Sequence, residues 1–80
     1  RFHPPQILEA LFRGLLVRPG DVAVHYAAML WHLHGKSDAA FDMDERPFFL
    51  RFNTPHPAQR EKAFRELCTR LNVSAEPYLP

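Results

Sequence analysis

The sequence predicts an all-α protein of stacked antiparallel helix pairs. Apolar residues recur at helical spacing in well-separated stretches, and those stretches open or close on residue types that start or stop helices. The one segment that also reads as extended, residues 48–52, has no evident partner strand in the chain.

The first predicted helix covers residues 5–16. Pro4 and Pro5 suit an opening turn, and Ile7, Leu8, Leu11, Phe12, Leu15 and Leu16 form one apolar stripe. Glu9 and Arg13 stand four apart, acid first, on the other side. Pro19-Gly20 then turns the chain. The second helix is predicted over 22–34, with Asp21 as N-cap and Gly35 just past its end. Tyr26, Leu33, Leu30, Ala23, Ala27, Trp31 and Val24 spread over an arc of roughly 200°, too wide for a single neighbour. Ala23, Ala27 and Ala28 would admit a second helix closely. The narrow remaining face carries Asp21, His25, Ala28, Met29, His32 and Lys36.

From Lys36 to Asn53 the pattern loosens, and Asp38, Asp42, Asp44 and Glu45 precede Phe48-Phe49-Leu50-Arg51-Phe52. A short helix over 45–52, capped by Asp44 and with Pro47 in its first turn, is the preferred assignment. An extended segment is the alternative. The last helix, 56–72, begins at Thr54 or Pro55-His56-Pro57 and aligns Ala63, Phe64, Leu67, Cys68 and Leu71 on one face. Its other face offers the four-residue pairs Glu61 with Arg65, Lys62 with Glu66, and Glu66 with Arg70, the pattern of a water-facing, closing helix. Ser74 to Pro80 reads as a tail stopped by Pro77.

Eighty residues make at most one helical domain, and so small a domain buries only somewhat over half of its unfolded surface. The chain opens at Arg1 and runs at once into His3-Pro4-Pro5, so we expect a fragment or processed product of a longer protein, residues 1–80 being a single helical domain or its C-terminal fragment. Exposed apolar faces at a broken end would favour a homo-oligomer. Ten basic and nine acidic residues give a formal charge of +1, which argues against nucleic acid as a partner. Val22 to Leu33, the longest mainly apolar stretch, is interrupted by histidines and is shorter than the roughly 20 residues of a membrane span. A single cysteine fits a reducing, cytoplasmic setting.

Residues Asp21 to Gly35 resemble the second helix of a HEAT-like repeat. Asp21, Val24, Ala27, Ala28, Leu30 and Leu33 match that family's pattern; His25 stands where it usually has Arg, and His34 intervenes before Gly35. The preceding helix fits the repeat's first helix, so the resemblance covers about residues 4–35. It implies an α-solenoid fragment, a right-handed stack whose second helices line the inner surface of a binding scaffold.

No catalytic constellation stands out, and no cofactor is called for. His25 and His32 lie seven apart, about 10 Å along a helix axis, which is beyond the reach of two ligands on one zinc. His32 and His34 point to nearly opposite faces. Asp42, Asp44 and Glu45 lack the spacing of a calcium loop and are expected to cap the next helix or pair with Arg46 or Arg51. Cys68 reads as a buried, inert thiol. The sequence thus points to a non-enzymatic scaffold for a protein partner, with Asp21, His25, Met29, His32 and Lys36 as contact residues. One rival is a bacterial immunity-type inhibitor that covers a basic active site with the acidic loop Asp38, Asp42, Asp44 and Glu45. The other is part of a metal-dependent enzyme.

Overall fold

A computed structural model describes residues 5–36 and 44–80. Among them are four α-helices, α1 (Pro5–Val17), α2 (Gly20–Leu33), α3 (Arg46–Leu50) and α4 (Pro57–Leu71), followed by a 3-10 turn at Glu76–Tyr78. No strand occurs among the described residues. None of these helices is long and apolar enough to cross a membrane.

α1 is the organising element, packed against α2, α4 and the 3-10 turn. Phe12 and Leu15 are fully engaged in the core, with Leu8, Leu11 and Leu16 at its margin, whereas Ile7 is half exposed and only borders the predicted stripe. Gly14 is buried at the contact with α2, where an added Cβ would come within 2.3 Å of Tyr26 Cε2. A side chain on α1 would therefore displace the Tyr26 ring.

α2 starts two residues earlier than predicted. Pro19 is its N-cap, in extended geometry, and the Ala23 N–H donates to the Pro19 carbonyl over 2.9 Å. Asp21 is displaced from the cap into the first turn, where its Oδ1 accepts from the Val22 N–H at 3.0 Å and its charge still complements the positive end of the helix dipole. At the other end Gly35 adopts φ +79°. This lets the Gly35 N–H reach the His32 carbonyl and the Lys36 N–H reach the Trp31 carbonyl, a Schellman closure. Ala23, Ala27, Leu30 and Trp31 are buried, and α2 meets α1 and α3. Ala28, predicted on the wet face, instead packs against the core margin.

The helical assignment of 46–50 has a packing reason. In a helix Phe48, Phe49 and Phe52 share a side, whereas a strand would send Phe49 away from the other two. All three are buried, with Trp31 edge-on to Phe49 at 5.2 Å and Phe48 edge-on to Phe52 at 5.9 Å. Glu45, rather than Asp44, occupies the N-cap, without a side-chain capping bond. Glu45 pairs with Arg70 at 3.1 Å, and Arg51 pairs with Glu66 at 2.6 Å, so the partners of these two residues lie on α4. The Arg70 guanidinium also sits 3.9 Å from the Phe48 ring centroid. Glu66 is thus taken by Arg51 and Arg70 rather than by the Lys62 partner expected from spacing. The Arg51 hydrogen bond holds its carboxyl below the usual carboxylate range.

α4 buries Ala63, Phe64, Leu67, Cys68 and Leu71 as predicted, but the same stripe begins with Arg60, which is only 5% exposed. Arg60 Nη1 donates to the carbonyls of Leu15 (2.7 Å) and Arg18 (2.8 Å), and Nη2 donates to that of Thr54 (2.6 Å). Burial lowers the guanidinium pKa from its ordinary value. Asn72, at φ 60°, ends the helix in a second Schellman closure, and Val73 turns back onto the core.

The segment read as a tail belongs to the core. The Tyr78 ring stacks on Phe12 at 4.6 Å and meets Phe64 edge-on at 6.2 Å. Arg13 Nη2 donates to the Pro77 carbonyl at 3.2 Å, and Glu76 pairs with Arg65 at 3.1 Å. One buried cluster draws on all four helices. The radius of gyration, 11.6 Å, is near the ~12 Å of a compact chain of this length.

Gly20 fixes how the α1–α2 turn meets the α3–α4 linker. A Cβ there would lie 2.3 Å from Asn53 Oδ1, 2.9 Å from Asn53 Cα and 3.0 Å from the Thr54 nitrogen. Gly20→Ala is expected to cost about 1–3 kcal/mol in urea unfolding, as overpacking does. Adding Asn53→Ala should restore little, because main-chain atoms remain in the way. A loss below about 0.5 kcal/mol, the scatter of ordinary surface changes, would show that the linker shifts freely.

Candidate partner-binding face

The outer strip of α2 is built by what lies on its opposite side. Ala23, Ala27, Leu30 and Trp31 anchor the helix, and this leaves Asp21, His25, Met29, His32 and Lys36 exposed. These are the five contact residues expected from the sequence; Asp21, His25, Met29 and His32 are exposed on α2, and Lys36 is exposed just past its end. From Asp21 to His32 the strip runs about 16 Å at the helical rise. Met29, at its middle, is 44% exposed and supplies a deformable apolar contact between two imidazoles. Lys36 is held at the end of the strip, its Nζ 5.7 Å from the Trp31 ring centroid and its N–H bonded to the Trp31 carbonyl.

His34 faces away from this strip. Its Nδ1 lies 2.8 Å from the Leu30 carbonyl, and its ring meets Phe12 edge-on at 6.0 Å. It contributes to the helix end and to packing. His56, the N-cap of α4, is exposed and belongs to a different element.

Two members of the alternative acidic site, Asp44 and Glu45, are described. Asp38 and Asp42 lie outside the described residues; Asp44 is exposed, and Glu45 is engaged by Arg70. No group of three His, Cys, Asp or Glu residues placed to hold a metal ion occurs among the described residues. Cys68 is buried, and desolvation pushes its thiol pKa up to about 11. At neutral pH such a thiol is almost entirely protonated and a poor nucleophile.

The α2 strip can therefore offer imidazole, thioether, carboxylate and ammonium groups to a partner from a rigid backbone, a combination suited to recognition. Compared with known protein families, with curated proteins and with solved structures, the chain matches none.

The Cys68 environment sets a pH dependence. The folded state holds the thiol's pKa above the ordinary value of 9.0, so this contribution to stability is complete below pH 9 and is lost as pH rises towards about 11. Cys68→Ser should flatten that decline in urea unfolding. In the native parent at pH 8, a thiol-reactive disulfide reagent should label Cys68 only at the rate of unfolding. Rapid native labelling would show an accessible thiolate.

Proposed function

We propose that this chain is a non-catalytic protein-interaction module that presents the outer strip of α2 to a protein partner. The observation that carries this reading is the exposure of Asp21, His25, Met29 and His32 on a helix whose opposite side is buried in the core, with Lys36 exposed just past its end. Such a surface needs no ordering when a partner arrives, so little binding energy is lost to immobilising its backbone. Met29 would occupy an apolar depression, and the two imidazoles would supply directional hydrogen bonds around it.

In the HEAT-like reading of residues 4–35, α1 is the outer helix and α2 the inner one. The strip then forms part of the inner surface of a stack, where such repeats bind extended partners. Continued stacking beyond this pair belongs to the same proposal.

The test is capture by the tagged protein, followed by reconstitution with the purified captured partner. The double substitution His25→Ala/His32→Ala should weaken that complex at least about tenfold, the scale of losing a hot-spot contact. The helical circular dichroism of the variant at the assay temperature checks that the fold is kept. Equal affinity of parent and variant would remove the α2 strip as the binding surface.

A further inference from the structure

Arg60 carries a buried charge whose hydrogen bonds all go to neutral acceptors. Its three acceptors are main-chain carbonyls, no carboxylate pairs with it among the described residues, and its Nε–H has no acceptor. The side chain lines a cleft of about 640 Å³ at the end of α1. The cleft is walled by Leu16, Val17, Pro19, Pro55 and Pro57 and includes Arg18 at its edge. Its lining thus holds two arginines and no acid. Glu61 belongs to a neighbouring cleft and is engaged by Arg65 at 3.1 Å. Gly20, in the opening turn of α2, is also part of the lining, where the positive end of that helix dipole meets the negative end of α1 at Leu16 and Val17, so the two arginines set the sign of the field.

Arg60 lines this cleft with its Nε–H unpaired and enclosed, so an anion must enter deeply to meet it, and the apolar walls select what the anion is attached to. A fully hydrated inorganic ion would leave Val17 exposed at 79%; an apolar chain would cover it. We propose that this cleft binds a carboxylate carried on a short apolar chain, either a small organic acid or the C-terminus of a peptide ending in an aliphatic residue. The carboxylate accepts charge-assisted hydrogen bonds from Arg60 and Arg18, and the chain lies on Leu16, Val17 and Pro19. This site is separate from the α2 strip and does not depend on that strip binding a protein.

The competing occupant is an ordered water on Arg60 Nε, and the two give different results. The ¹⁵N-labelled protein is titrated with 4-methylpentanoate, and the Arg60 Nε–H and the Gly20 and Thr54 amide signals are followed. Saturable shifts with the acid, and none with 4-methylpentanamide, are expected. Arg18→Glu, which keeps the main-chain carbonyl used by Arg60, should lower the affinity about tenfold, a loss typical of one charged contact. As a second readout, 4-methylpentanoate should raise the melting temperature of the parent but not of Arg18→Glu. A tripeptide ending in leucine, compared with its amidated form, identifies the source: tighter binding than 4-methylpentanoate assigns a peptide terminus, and weaker binding assigns a small acid. The proposal is overturned by unsaturable shifts, by equal response to the amide, or by inorganic phosphate binding the same residues as tightly as the acid.

Discussion

The interaction on which this fold most depends is the reach of Arg60 into main-chain carbonyls. A single side chain of α4 joins the end of α1 at Leu15, the turn into α2 at Arg18, and the linker from α3 at Thr54. Leu15 and Arg18 lie three residues apart at the end of α1 and Thr54 lies far along the chain, so without the guanidinium their carbonyls would be left to solvent or to one another. The charge is tolerated because α1 ends there. The carbonyl end of a helix carries partial negative charge, and a cation placed against it recovers part of its lost hydration. An apolar residue at position 60 would fill the space and leave the buried carbonyls unpaired, at about 1–3 kcal/mol for each that water cannot reach.

The second constraint is aromatic. Phe12 touches His34 from the end of α2, Phe64 from α4 and Tyr78 from the 3-10 turn, so one residue of α1 senses the position of three other segments. A separate group, Trp31 with Phe48, Phe49 and Phe52, holds α3 under α2. Large rings bury much area per ordered side chain, which suits a chain too short to build a deep aliphatic core. The exposed ion pairs among Glu45, Arg51, Glu66 and Arg70 add orientation to that arrangement more than energy, since solvent screens them.

Local pattern was enough to find the helices and the wet strip of α2, because both follow from spacing at 3.6 residues per turn. The features it missed are tertiary. Asp21 is a better capping residue than Pro19, yet the tight contact of Gly20 with Asn53 goes with a helix that begins earlier. Glu66 had a suitable lysine four residues back and an arginine four ahead; Arg51, fifteen residues away, takes its shortest pair. The segment from Ser74 was legible only as polar and proline-stopped, because nothing local shows that Tyr78 will find Phe12. Arg60 is the instructive case. It stands three and four residues before Ala63 and Phe64, in register with the buried stripe, and that spacing was visible. Nothing local shows that three main-chain carbonyls will gather around its guanidinium.

The same contacts bear on how binding could act through the fold. Gly20 opens α2 and presses on Asn53, while Arg60 grips the carbonyls on both sides of that contact, Arg18 and Thr54. The start of α2 therefore cannot move without straining the linker, and the helix that carries Asp21, His25, Met29 and His32 is fixed at the end nearest the Arg60 cleft. An anion held between Arg60 and Arg18 would offset part of their positive charge while bridging α4 to the turn before α2, and so tighten the anchor. The α2 strip would then be presented by a stiffer helix, with no change in its own contacts. The sign of such coupling follows from the geometry: occupancy of the cleft reduces the freedom α2 must give up on binding, so the two events should favour each other.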